Sequence, residues 1–245
     1  GFSAGDKDSK KEQYTAQDLD LRPTVYRRLA PNIYLGVGWS LHAQHAAQIN
    51  SDDPQKIHDT AQGESVLSSG SSVELSWDDR DFVPNPRKGQ YADLRYTRFT
   101  PDVGSDTRFD EYQLHYSRYH SLDDKNVLAW EMDGAFTQGD VPWTMMPLLG
   151  SNQRMRGYYE GRYRDKNAVS GQLEYRRKLD WRHGVVGWLG AGTMGPSFHA
   201  LNDGRWLPSA GVGYRFEFKP RVNVRLDYGI GKGSSGFYFQ VGEAF

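Results

Sequence analysis

What most constrains this chain is an apolar residue at every second position, repeated over segment after segment. In Ser72 to Asp78 the set Val73, Leu75, Trp77 interleaves with Ser72, Glu74, Ser76 and Asp78, the two-residue period of a strand with one apolar and one polar face. The same alternation runs through Ile33 to His42, Leu128 to Phe136, Ala210 to Lys219 and Val222 to Ile230. It returns more weakly at Leu19 to Leu29, Tyr91 to Phe99, Tyr112 to Tyr119, Val169 to Leu179, Val185 to Met194 and Phe237 to Phe245. This predicts about eleven strands, and no segment offers the period of a two-turn helix.

The connections alternate in length. Ala30 to Asn32, Asn85 to Gly89, Leu122 to Lys125, Asp180 to His183 and Lys219-Pro220 read as tight turns; His45 to Ser69, Thr100 to Asp106, Gln138 to Asp165, Gly195 to Arg205 and the shorter Lys232 to Gly236 read as loops between them. An antiparallel meander with short turns at one rim and long loops at the other is the construction of an outer-membrane barrel, its short turns periplasmic. A mean hydropathy of -0.76 does not contradict this, because a spanning strand needs only about ten residues with every second one apolar. The stretch Val185 to Asn202, free of Asp, Glu, Lys and Arg, holds four glycines and a proline and cannot be a spanning helix.

A soluble β-sandwich or lipocalin-like barrel would produce the same alternation. Against it, the polar faces pair acid with base, as in Asp20 with Arg22, Asp93 with Arg95, Glu174 with Arg176, Arg215 with Glu217 and Arg225 with Asp227, while aromatics gather toward strand ends. Membrane interfaces favour aromatics there. The predicted fold is therefore all-β, a transmembrane antiparallel up-and-down barrel. With 30 Lys+Arg against 31 Asp+Glu the net charge is -1, which removes nucleic acid as a leading partner. The absence of cysteine removes thiolate metal sites, disulfides and cysteine nucleophiles.

Three segments, in order, resemble one family. Ser76-Trp77-Asp78-Asp79-Arg80-Asp81 through Pro84-Asn85-Pro86-Arg87-Lys88-Gly89 is similar to its "D-x-R-D, then N-P-x-x-G" strand and turn. Met155-Arg156-Gly157-Tyr158, inside the loop Gln138 to Asp165, resembles its hydrophobe-Arg-Gly-aromatic loop motif, and Phe239 to Phe245 its closing strand. The family is the BamA-type superfamily of bacterial surface antigens. The resemblance implies one outer-membrane barrel over residues 1–245, with 1–13 the remnant of an external loop and 138–165 a loop folded back into the lumen. Single-chain barrels are normally even in strand count, so about eleven strands imply a strand or domain preceding Gly1 and a parent barrel of 12 strands, or of 16 as in the family's large members. Arg156 would meet an inward carboxylate, Glu174 first and Glu131 or Asp133 otherwise, since an unpaired buried charge costs several kcal/mol. Gly190 stands where the family's next strand carries an acid. Phe237, Phe239 and Phe245 would form the aromatic assembly signal.

Other motifs fail on context. Gly190 to Gly195 spells G-x-G-x-x-G, but no helix opens behind it. His42 and His45, three apart on a strand, face opposite sides; no metal and no cofactor are expected. No Gly-x-Ser-x-Gly elbow occurs, and arginine neighbours lower carboxylate pKa values and spoil them as acids, so no enzyme activity is expected. The implied function is insertion or translocation of proteins at the outer membrane of a Gram-negative bacterium, with the bilayer, lipopolysaccharide and client proteins as partners. Glycines 229, 231, 233, 236 and 242 would give a pliable seam at the terminal hairpin. The alternative is a passive anchor or secretion pore for a fused passenger such as a patatin-like phospholipase.

Overall fold

The computed structural model describes residues 2–3, 13–50 and 65–245. The strands are β1 (Phe2–Ser3), β2 (Gln13–Leu21), β3 (Thr24–Ala30), β4 (Ile33–Asn50), β5 (Ser65–Asp78), β6 (Gly89–Phe99), β7 (Phe109–Ser121), β8 (Asn126–Gly139), β9 (Leu148–Leu149), β10 (Tyr163–Arg164), β11 (Asn167–Lys178), β12 (His183–Gly195), β13 (Leu207–Lys219), β14 (Val222–Gly231) and β15 (Ser234–Val241). Twelve of them form one antiparallel meander, β15-β14-β13-β12-β11-β8-β7-β6-β5-β4-β2, with β3 also on β4. Both β2 and β3 lie along the same strand, β2 on its Leu41–Asn50 half and β3 on its Ile33–Gly38 half. They are one stave in two pieces, so the sheet has eleven staves.

The segment Leu19 to Leu29, expected as one strand, is thus interrupted at Arg22 and Pro23. Pro23 has no N–H to give to a ladder, yet its carbonyl still accepts from Trp39 N at 3.0 Å, which holds the two halves in line. At the other end the expected strand Phe237 to Phe245 stops at Val241, and Gly242, at φ 96°, turns the chain away. Of the expected external segment 1–13, Phe2–Ser3 pairs with Tyr163–Arg164 and residues 4–12 lie outside the described residues. The loop expected at His45 to Ser69 shortens at both ends into β4 and β5, and its middle, 51–64, also lies outside them. Gly190 to Gly195 lies within β12, in continuous strand.

The sheet is inside out relative to a water-soluble one. On β5 the exposed set is Val73, Leu75 and Trp77 while Ser72 and Glu74 are buried; on β11 to β14 Leu173, Leu189, Val212 and Ile230 are exposed while Glu174, Arg176, Arg215, Arg225 and Asp227 are buried. Leu189 and Val212 are 68% and 66% exposed, Glu174 and Asp227 0%. Withdrawing one such aliphatic side chain from water is worth about 1.5–3 kcal/mol. A belt of them turned outward on every stave is stable only against hydrocarbon, with the charges facing the lumen.

Among the described residues, the buried apolar clusters form where loops pack. Phe99, Phe109, Val141 and Met145 form one, and Leu149, Met155, Tyr158, Tyr163 and Leu207 the other. The second belongs to the chain between β8 and β11, which leaves the meander and builds a small sheet, β1-β10-β9. At the short-turn rim the segment 79–88 turns back across the lumen. Asp81 accepts from the Arg87 and Lys88 N–H groups and pairs with Arg221, on the β13–β14 turn, at 2.7 Å. Burial works against the charged form of Asp81, but those hydrogen bonds and Arg221 outweigh it and hold its carboxyl below the usual range.

Candidate functional site

The loop between β8 and β11 is shaped by its own turn chemistry. Ser151 Oγ accepts from the N–H groups of Gln153 and Arg154 at 3.1 and 2.9 Å, and Ser151 N donates to Arg154 O at 2.8 Å. Such a hydroxyl-capped turn reverses the chain without a ladder. Met155 then takes a positive φ of 51° and Gly157 one of 111°, an energetically costly conformation for the first and a free one for the second. Between them Arg156 is thrown inward.

Gly157 allows a close approach. A Cβ on it would lie 2.6 Å from the backbone carbon of Ile230, so no side chain fits between loop tip and β14. Its N–H donates to Tyr238 Oη at 2.8 Å, and its carbonyl accepts from Ser234 Oγ at 2.5 Å. Tyr158 donates to Pro208 O at 2.6 Å and accepts from Lys232 N at 2.8 Å. Gly229 and Gly231 form the seat: a Cβ would meet the Arg156 carbonyl carbon at 2.7 Å in the first case and the Tyr158 ring at 2.5 Å in the second.

Arg156 has no solvent exposure. Its Nη2 is 2.5 Å from Glu174 Oε2 on β11 and its Nη1 2.6 Å from Asp227 Oδ2 on β14. Its guanidinium lies 3.6 Å from the centroid of the Trp188 ring, a cation–π contact, and its carbonyl accepts from Ser209 Oγ at 2.6 Å. Three further arginines surround the carboxylates. Arg176 Nε is 2.7 Å from Glu174 Oε1, Arg215 Nη1 2.5 Å from Asp227 Oδ1 and Arg225 Nη1 2.9 Å from Asp227 Oδ2. Arg225 also donates to Asn152 O of the loop at 2.8 Å.

Asp133 meets Arg154 of the loop and Glu131 reaches the loop through Gln172; neither is paired with Arg156. Gln172 Nε2 donates both to Glu131 and, at 2.8 Å, to Gln153 O; Asp133 Oδ1 is 2.8 Å from His115 Nδ1 and 3.3 Å from Arg154 Nη1. His115, Glu131 and Asp133 bring donor atoms within 4.8 Å of one another, but Gln172, Arg154 and the His115–Asp133 contact already engage them. His42 and His45 are apart as partners, His42 3.8 Å from Asp20 and His45 2.7 Å from Ser65 Oγ.

Phe237 and Phe239 point outward on β15, more than half exposed. Phe245 lies beyond the strand and turns the other way: its carbonyl accepts from Arg176 Nη2 at 2.9 Å, and its ring lies 6.1 Å from that of Tyr119. Of the side chains against the Arg156 guanidinium, Asp227 and Trp188 are those that the sequence reading did not single out. An acid on the inward face of a strand beside the terminal hairpin was the available signal for Asp227. It stands on β14, two strands beyond Gly190.

The profile of the Omp85 superfamily domain matches residues 1–245. BamA from Haemophilus ducreyi lacking POTRA domains 1–3 aligns with a TM-score of 0.68 and 15% identity, over 93% of this chain and 54% of that one. The CymD monoaromatic hydrocarbon channel aligns with a TM-score of 0.43 and 10% identity, over 95% of this chain and 73% of that one. The chain therefore spans about half the length of that BamA structure, and the likeness is one of fold. No curated protein sequence matches it.

Proposed function

The chain belongs to the Omp85 superfamily and is a barrel of the bacterial outer membrane; we propose that it acts in inserting or translocating proteins there, with the β8–β11 loop as an internal strut beside a lateral opening. The observation that carries this reading is where the loop tip is seated. Gly157 and Tyr158 contact β14 and β15, and β15 and the β2–β3 stave each pair along one edge only among the described residues. The tip is held by charged and hydrogen-bonded groups together with the Leu149–Leu207 apolar cluster, and water can satisfy the polar groups that are freed when the loop leaves its seat.

On this reading the outward belt meets the bilayer, the long-loop rim meets lipopolysaccharide, and the clients are segments that must cross or enter the membrane. No catalytic residue is assigned, because Glu174, Asp227 and Glu74 are each paired with arginine. The test is reconstitution of the barrel into vesicles with an unfolded outer-membrane protein as client. Faster appearance of heat-modifiable, protease-resistant client than in empty vesicles, altered by Arg156→Ala, is the expected result. Ion conductance with no effect on client folding would leave the barrel a passive anchor or pore for a fused passenger.

A further inference from the structure

The residues that clamp Arg156 do not end at the loop. Each of its two carboxylates is shared with an arginine that reaches the other end of the molecule. Glu174 is held by Arg176, whose Nη2 donates to Phe245 O at 2.9 Å; Asp227 is held by Arg215, whose Nε is 2.7 Å from Glu243 Oε2. Asn223 Nδ2 donates to the other oxygen of Glu243 at 2.6 Å. The path from loop to tail is therefore doubled, Arg156–Glu174–Arg176–Phe245 and Arg156–Asp227–Arg215–Glu243, and every charged side chain on it is at least nine-tenths buried.

Charge makes the tail part of the arrangement. Arg156, Arg176, Arg215 and Arg225 face Glu174 and Asp227, four cations against two anions, and Glu243 is the third carboxylate. Withdrawing Glu243 leaves Asp227 as the carboxylate paired with Arg215, beside the Tyr214 carbonyl, in competition with Arg156 and Arg225 for the same two oxygens. Buried guanidinium groups do not tolerate such a loss, since the remaining cations repel one another in a water-poor space. The tail is also the continuation of β15: Gly242, at φ 96°, carries the chain from that edge strand inward, and its N–H donates to Asn223 O at 2.8 Å.

We infer that Glu243 and the Phe245 carbonyl are positioning residues for the loop, so that displacement of the terminal strand β15 and release of Arg156 are one coupled event. This deepens the proposed function by giving the lateral edge a means of signalling to the strut inside. A client that draws β15 outward pulls Glu243 off Arg215, and the loop loosens. Linkage requires the converse: a released loop must free the tail.

Because the chain has no cysteine, single cysteines report each end. Met155 and Ala244 are 1% and 4% exposed, so M155C and A244C should react slowly with a thiol reagent in the folded, detergent-held barrel. E243Q is expected to raise the M155C rate about tenfold or more, with E243D, which keeps the charge on a shorter arm, giving a smaller rise. Arg156→Ala is expected to raise the A244C rate by a comparable factor, and E243Q should add little at M155C once Arg156→Ala is present. Heat-modifiable migration identifies the folded barrel in each case; if E243Q fails that check, E243D alone decides the loop arm, and the A244C arm does not involve it. Indifference of either cysteine to the change at the other end, or effects that multiply independently, would overturn the coupling. A coupled pair in a barrel that accelerates no client would overturn the proposed function and leave the coupling standing.

Discussion

Two parts of the lumen wall carry the same kind of residue and treat it differently. Under the loop, Arg156 sits between Glu174 and Asp227 with no exposure on any of the three side chains. Beside the first staves, Arg95 pairs with Glu74, and Tyr26 donates to Glu74 Oε1 at 2.6 Å, but Arg95 keeps 17% of its side chain exposed and Tyr26 is 47% exposed. Both clusters come from the same alternation, polar inward and apolar outward. What differs is water: the first is capped by a loop that fills its surroundings, the second borders the exposed β3. Coulomb attraction strengthens and desolvation costs rise together as water leaves, so the first cluster should be far more sensitive to the loss of one partner.

The largest expected effect is at Arg156. Arg156→Ala removes the guanidinium that ties the loop to both Glu174 and Asp227, leaving those carboxylates to Arg176, Arg215 and Arg225, and should destabilise the docked loop by about 3 kcal/mol, seen as faster protease cleavage between 150 and 162 and a lower unfolding temperature in detergent. Arg156→Lys keeps the charge but cannot reach both carboxylates at once, so it should fall between wild type and alanine. Next comes a change that leaves all charges in place. Gly231→Ala puts a methyl group into the Tyr158 ring and should cost about 1–3 kcal/mol by overpacking, with the same loop exposure, whereas Gly187→Ala, whose Cβ meets nothing within 4 Å, should be silent in that assay. Equal behaviour of the two glycines would break the idea that β14 is shaped as a seat.

In the wetter cluster Glu74→Gln should cost about 1 kcal/mol or less, because solvent at Arg95 and Tyr26 takes over part of what Glu74 supplied. The smallest effect is at the short-turn rim. With the folded pKa of Asp81 below its unfolded value, the tie to Arg221 is complete above the ordinary carboxylate pKa of about 3.9 and is lost as pH falls through the lower folded value. For a pair about one-third exposed this is worth roughly 0.5 kcal/mol. Asp81→Asn should therefore cost about that much at pH 7 and flatten the stability profile below about pH 4, where the two proteins converge.

Much of the barrel could be read from the chain because the membrane imposes it: a stave must alternate, and Val73, Leu75 and Trp77 have no other reason to. Strand ends were less legible, since β4 and β5 extend past the apolar period into residues that no bilayer selects. Pro23 interrupts a stave that the pattern shows as unbroken. Arg156 and Glu174 were marked as a pair by the loop motif and an inward acid, and they stand 2.5 Å apart. Asp227 escaped because pairing charges along one strand matches it with Arg225, while curvature of the sheet brings it under a residue 71 positions away. Gly229 and Gly231 suggested a pliable seam; their contacts are with Arg156 and Tyr158. Phe245 was read as continuing β15, and only the turn at Gly242 shows that it enters the lumen.

The central claim is that the loop is held by a charge pair made strong by the loss of water, and a double-mutant cycle tests it most directly. Unfolding free energies of Arg156→Ala, Glu174→Ala and the double variant give one coupling energy, and Arg95→Ala with Glu74→Ala gives the reference. The account predicts about 2–3 kcal/mol for the first pair and under about 1 kcal/mol for the second. Coupling energies that are equal, or a first pair whose effects simply add, would contradict it.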